Sequence, residues 1–172
     1  AMTYQETRTN VERRGAEPRV ATQSVLIVED NELNMKLFND LLESRGYSII
    51  QTRNGMEVLE IARTQKPDLI LMDIEMPGLN GIEVTQKITR QFPDIKVLIQ
   101  TVFNDSDKIF NALCAGASGY ILKNDPPHKY IEAIADVYNG GAPVSATVAK
   151  KMLGFFTKKN INSLEQIRPL DS

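Results

Sequence analysis

Two runs of apolar residues in this chain stop at acids. Val25-Leu26-Ile27-Val28 ends at Glu29 and Asp30, and Leu69-Ile70-Leu71-Met72 ends at Asp73, with Glu75 two positions on. Four consecutive apolar residues read as a strand buried on both faces, where a carboxylate is costly unless something pairs with it. Two later apolar runs end at Thr101 and Lys123. Three carboxylates brought together repel and require a cation. All-oxygen ligation with open positions suits Mg²⁺ or Mn²⁺ rather than zinc, and neither His nor Cys stands among these residues. An ionised, positioned Asp is a nucleophile for phosphorus and gives an acyl phosphate. Phosphoryl transfer is catalysed mainly by positioning and charge neutralisation. A metal on one side and Lys123 on the other would neutralise the incoming oxygens, and Thr101 would donate a hydrogen bond to one of them.

That chemistry needs the five residues on one edge, and the periodicity of the chain predicts how they meet. "SVLIVED", "YSIIQT", "DLILM", "IKVLIQT" and "SGYILK" read as short strands. Between and after them, "NELNMKLFNDLLESRG", "GMEVLEIARTQ", "IEVTQKITRQF", "DSDKIFNALCAG" and "HKYIEAIADVYNGG" carry helical spacing. Gly46 closes the first helix, Lys66-Pro67 breaks the second, and "MPGLNG" is a loop. Strict alternation of strands and helices predicts a parallel sheet covered on both faces. Ligands of such folds bind at the carboxyl ends of the strands, where the strand order switches. Glu29, Asp30, Asp73, Thr101 and Lys123 all follow or close a strand.

The 172 residues suggest one domain with room for extra segments. A hydrophobic content of 42% with 24% charged residues is ordinary for a soluble globular protein, and a net charge of −2 carries no basic signal for nucleic acid. The single cysteine, Cys114, excludes an internal disulfide, fits a reducing compartment and reads as a small buried residue of a helix. With no apolar run long enough for a membrane helix and no signal peptide, the expectation is a cytoplasmic protein. Residues 1–23 mix Arg and Glu without apolar periodicity and read as a flexible extension.

The motifs "VLIVEDNE", "PDLILMDIEMPGLNGIE", "VLIQT" and "SGYILK", in this order and spacing, resemble the receiver domain of two-component response regulators across residues 24–141. The resemblance implies a flavodoxin-like (CheY-like) doubly wound sheet of order 2-1-3-4-5. It implies that Asp73 accepts a phosphoryl group from a histidine kinase or a histidine phosphotransfer protein. It further implies that Asp30 and Asp73 bind Mg²⁺ directly, that the Glu75 backbone carbonyl is a third ligand, and that Glu29 holds a metal-bound water. Tyr120, three before Lys123, matches the aromatic switch that turns inward when Thr101 moves to the phosphate. Such a domain catalyses only its own phosphorylation and dephosphorylation, and signals through the face formed by its fourth helix, fifth strand and fifth helix. Two positions depart from the pattern: Asn124 follows the lysine where Pro is frequent, and Val102 stands where a smaller residue is common.

The first half resembles DivK-type single-domain receivers and the second half receivers of the NarL/FixJ type, which one natural receiver or a designed chimera could combine. "SATVAKKMLGFF" predicts an extra C-terminal helix, packed on the domain or forming a dimer contact, and "TKKNINSLEQIRPLDS" resembles the linker before a DNA-binding domain. The expectation for 142–172 is therefore a helix and a linker-like tail, without DNA binding. A homodimer through the face of the fourth helix, fifth strand and fifth helix, or through the C-terminal helix, is the alternative association. His128, the only histidine, reads as a surface residue. On the first helix, Leu37 and Phe38 read as core, and Asn34 and Met35 as contacts to a kinase. The competing readings are a phosphohydrolase of the haloacid dehalogenase type, suggested by the acid two after Asp73, and a phosphate-silent interaction module.

Overall fold

In a computed structural model, residues 22–102 and 105–167 are described, with backbone alone at 161 and 163–167. Nearly all of the predicted N-terminal extension lies outside the described residues. The elements are β1 (Ser24–Val28), α1 (Glu32–Glu43), β2 (Ser48–Thr52), α2 (Val58–Gln65), β3 (Leu69–Asp73), α3 (Gly81–Gln91), β4 (Lys96–Thr101), α4 (Ser106–Cys114), β5 (Gly119–Leu122), α5 (Pro127–Tyr138) and α6 (Ala146–Ile167). A short 3₁₀ turn, Gly55–Glu57, precedes α2. The five strands form one parallel sheet in the order β2-β1-β3-β4-β5.

The continuous apolar runs now have a reason. Successive side chains of a strand face opposite sides, so a strand covered on both faces must be apolar at every position. Leu26, Val28, Ile70, Met72, Val97 and Ile99 pack toward α2, α3, α4 and α6, where they meet Val58, Ile88, Ile109 and Val148. Val25, Ile27, Leu69, Leu71 and Leu98 pack on the other side, against Phe38 and Leu42 of α1 and Tyr130 and Ile134 of α5. The helices start where polar side chains cap them: Asn31, Asn80 and Asp105 accept first-turn N–H groups of α1, α3 and α4. At Gly81, the first residue of α3, a Cβ would lie 2.7 Å from Ile74 Cα, so only glycine lets α3 start this close to the turn after β3.

On α1 the predicted division of faces is corrected. Met35 is buried beside Phe38, and Leu37 stands out in solvent. The helix turns residues 35, 38 and 42 inward at spacings of three and four, which leaves 33 and 37 outside. Cys114 is likewise exposed rather than buried, because it is the last residue of α4, beyond its inward-facing stripe of Ile109 and Ala112.

Beyond α5 the chain returns to the sheet. Tyr120 N–H donates to Pro143 O at 3.0 Å and pairs with Val144 as a one-residue parallel bridge, which covers the otherwise free edge of β5. A Cβ at Gly119 would stand 2.6 Å from the same Pro143 carbonyl. α6 then lies along α4: Val148 is fully buried, and the Phe110 and Phe155 rings are 4.7 Å apart, with Lys159 Nζ 4.9 Å from the Phe110 ring centre. The helix runs on through Ile167, so most of the segment read as linker is helical. Val148→Ala is expected to lower stability in urea unfolding by about 1–2 kcal/mol, for two buried methyl groups and the void they leave. Leu153→Ala, on the same helix but 69% exposed, should stay within about 0.5 kcal/mol. Equal losses would show that α6 is not docked this way.

Burial holds the phenols of Tyr47, Tyr120, Tyr130 and Tyr138 above the ordinary tyrosine value. A raised folded value means stability that is intact below the unfolded value, about 10, and is lost as the pH climbs above it. A spectrophotometric titration should therefore show these four tyrosines ionising together with loss of helical circular dichroism. Independent, reversible ionisation near pH 10 in the folded chain would contradict that burial.

Candidate functional site

Strand register brings the predicted residues together. Val28 pairs with Met72, so Glu29 and Asp73 follow at the same level, and Asp73 in turn pairs with Gln100. Thr101 pairs with Leu122, and Lys123 N–H donates to Thr101 O at 2.8 Å. The cluster sits at the carboxyl edge over β1 and β3, where the strand order reverses. Arg53 Nη2 donates to Asp30 O at 2.9 Å and ties down the turn that carries the acids.

Lys123 Nζ is the centre of the polar contacts. It lies 2.7 Å from Asp73 Oδ2 and 3.0 Å from Glu29 Oε2. The side chains of Glu29 and Asp73 are 0% and 1% exposed, so water does little to screen the charges, and Lys123 is the group that answers them. Asp73 Oδ1 accepts the Glu75 N–H at 2.9 Å, and Glu29 Oε1 accepts the Asn31 N–H at 3.1 Å. Thr101 Oγ1 donates to the Glu75 side chain, at 2.9 Å from Oε1. The Glu75 side chain thus reaches across to β4.

Burial works against the Lys123 ammonium, yet its hydrogen bonds to Asp73 and Glu29 and their charges outweigh it and hold the lysine above its usual value. Burial pushes Glu29 up; the Lys123 hydrogen bond opposes this, and the charge of Asp73 adds to it. The cluster thus carries more negative charge than one lysine balances. Glu29, Asp30 and Asp73 each offer a carboxylate oxygen within 4.8 Å of the others'. That close all-oxygen donor set fits a hard divalent cation.

One participant was missed in the sequence. Gln100 is fully buried, donates from Nε2 to Glu29 Oε2 at 3.3 Å, and leaves its Oε1 without a partner among the described residues. A lone amide in an otherwise apolar strand run was the available signal. Tyr120 is fully buried, packed in the cluster that includes Val148. Val102 is 61% exposed. After Lys123 the chain turns through Asp125, whose N–H donates to Leu122 O at 3.0 Å, and Pro127 opens α5, with His128 exposed in its first turn.

A doubly wound parallel sheet with order 2-1-3-4-5 and an acidic, lysine-bearing cluster over its switch point defines a CheY-like domain. The family description "Response regulator receiver domain" matches residues 25–135, and the chain belongs to that family. It is 46% identical over 117 residues to the polar-differentiation response regulator DivK of Brucella anthropi, a match spanning 65% of this chain and 93% of that protein. The DivK of Brucella ovis is equally similar, over 118 residues and 94% of its length. The likeness to DivK therefore runs beyond the first half and lends no support to a join between two receivers.

Among solved structures, a LuxR-family two-component response regulator from Aurantimonas sp. SI85-9A1 superposes with a TM-score of 0.74 at 28% identity, covering 80% of this chain and 99% of the other. A CheY-like receiver domain protein from Methanospirillum hungatei gives 0.67 at 26%, covering 70% and 96%. Among the described residues no helix is long and apolar enough to cross a membrane.

Proposed function

We propose that Asp73 is the phosphoacceptor of this receiver and that the donor is the phosphohistidine of a histidine kinase or of a histidine phosphotransfer protein. The observation that carries the reading is the Asp73–Lys123 contact at 2.7 Å inside a cluster of three carboxylates. In the transfer, the phosphorus–nitrogen bond of phosphohistidine breaks as a bond forms to an Asp73 carboxylate oxygen, and the imidazole nitrogen takes up a proton. Asp30 and Asp73 would hold Mg²⁺, with the Glu75 carbonyl as a further ligand and Glu29 acting through a water. When bound, the metal neutralises the charge gathering on the transferred oxygens. Lys123 does the same from the opposite side, at an ammonium that Asp73 and Glu29 keep protonated. Thr101 donates to a phosphoryl oxygen, and Tyr120 follows it as the reporter of the switch.

The proposed division of the chain is a receiver at 24–141 with an accessory segment after it. The α4-β5-α5 face is the proposed output. Because α6 packs on α4 and the Val144 bridge covers the β5 edge, a homodimer through that face would have to displace the C-terminal segment. On α1, the exposed Leu33 and Leu37 rather than the buried Met35 are the apolar groups that a kinase helix would meet. The haloacid dehalogenase reading is disfavoured because that family's nucleophile follows its first strand, and Asp73 closes the third.

The test is incubation of the chain with Mg²⁺ and acetyl phosphate, followed by intact mass measurement. Gain of one phosphoryl group, absent with EDTA, supports the reading. No gain favours the phosphate-silent module, and multiple turnover on ordinary phosphomonoesters favours the hydrolase.

A further inference from the structure

Thr101 and Glu75 meet in a way that the proposed chemistry does not need. In that chemistry the Thr101 hydroxyl serves a phosphoryl oxygen on Asp73. In the structure it donates to Glu75 Oε1 at 2.9 Å. A threonine hydroxyl carries one proton and can donate it to one acceptor at a time. The Glu75 carboxylate is a strong competitor, since a hydrogen bond to an ionised acceptor is about twice as strong as a neutral one.

Glu75 is also built into the acceptor's own neighbourhood. Its N–H donates to Asp73 Oδ1 at 2.9 Å, which anchors the residue two positions from the nucleophile. Its side chain is half-buried, so its charge is less screened than that of a surface acid. Its influence extends to the switch residue: after burial, the charge of Glu75 is the next cause that holds the Tyr120 phenol above its usual value. One carboxylate thus touches Thr101, neighbours Asp73 and acts on Tyr120.

We propose that the Glu75 side chain is an internal stand-in for the phosphoryl group, which it must yield Thr101 to, and that this competition sets how readily the site holds a phosphoryl group. Glu75 is a positioning residue here: it acts through Thr101 rather than on the transferred phosphorus. On phosphorylation, Thr101 Oγ moves its hydrogen bond from Glu75 Oε1 to a phosphoryl oxygen, with no covalent bond broken. The inference rests on the roles of Asp73 and Thr101 given above.

Beryllofluoride, a noncovalent mimic of the phosphoryl group on Asp, measures this competition without hydrolysis. Its affinity for the full chain in Mg²⁺, read by fluorine NMR titration, should rise about 5- to 10-fold in Glu75→Gln, which weakens the acceptor while keeping its shape. Glu75→Asp keeps the charge but is one methylene too short to reach Thr101, and should bind as tightly as Glu75→Gln. In a Thr101→Ala background the gain from Glu75→Gln should shrink to less than about two-fold, because the shared proton is gone.

An unchanged affinity in Glu75→Gln overturns the proposal. So does a gain that persists in full without Thr101, or that is absent in Glu75→Asp, since either would mean simple charge repulsion. If the unsubstituted chain neither binds beryllofluoride nor takes up phosphate, the reading of Asp73 falls and takes this proposal with it. Binding by the unsubstituted chain with no effect of Glu75 removes the competition alone.

Discussion

Asp73→Asn is expected to take up no phosphoryl group from acetyl phosphate and Mg²⁺ under conditions where the unsubstituted chain takes up one. The substitution keeps size and shape at the end of β3 but replaces an anionic oxygen nucleophile by an amide. The neighbouring acids are poor substitutes. Glu29 is fully buried and held by the Asn31 N–H, Gln100 and Lys123, so neither of its oxygens is free to turn toward a donor. Asp30 lies next to Glu29 at the start of the loop and has no contact with Lys123 among the ion pairs of the described residues. The loss should come without unfolding, because Lys123 still has Glu29 as a partner. Intact mass gives the phosphoryl count and urea unfolding the stability. Uptake retained by a folded Asp73→Asn would sink the assignment.

The fold was legible because its signals are local and repeated. Each strand is a short apolar run and each helix an apolar stripe, and their alternation leaves few topologies open. The strand order itself came from the resemblance, since periodicity alone does not say which strand lies beside which. What escaped the sequence was decided by tertiary contact. Met35 and Leu37 are both apolar and two positions apart, so composition cannot assign them to faces; the packing of α1 against Tyr130 and Ile134 does. The segment after Phe156 has polar, linker-like composition, yet α6 continues through it after the contacts of Val148 and Phe155 have fixed its start on α4.

The site was legible for a different reason. An acid at the end of an apolar strand is expensive, so each such position announces a function, and the shared edge of a parallel sheet gathers them. Side-chain direction was not legible. Nothing in "DIE" says that Glu75 turns toward β4 and accepts from Thr101 rather than facing solvent. Gln100 was hidden in the same way, because its contact with Glu29 follows from β3 pairing with both β1 and β4, which brings together residues 71 positions apart.

Lys123→Ala carries the largest expected effect on stability. The ammonium lies 2.7 Å from Asp73 and 3.0 Å from Glu29, whose side chains are 1% and 0% exposed. Removing it leaves two buried carboxylates facing each other, and breaking a buried pair by deleting one partner costs about 3 kcal/mol or more. In urea unfolding with EDTA at neutral pH, a loss of about 3 kcal/mol is therefore expected. Two conditions should shrink it. Mg²⁺ supplies positive charge to the same acids, so the difference between variant and parent should narrow when it is added. Lower pH should also help, and the sign follows from Glu29. Burial already holds Glu29 above its ordinary value of 4.5, and the Lys123 hydrogen bond is what opposes this. Without Lys123 the folded value climbs further, so the folded state binds a proton more readily than the unfolded one. Stability of the variant is then greatest below the ordinary value and falls as the pH rises through the folded value. The variant should thus be closer to the parent at pH 5 than at pH 7. Its phosphoryl uptake should fall by about 100-fold or more, the usual consequence of removing a charge placed against a developing anion. A loss below about 1 kcal/mol in EDTA, or one that is the same with and without Mg²⁺, would show that Lys123 is not what offsets the charge of this buried cluster.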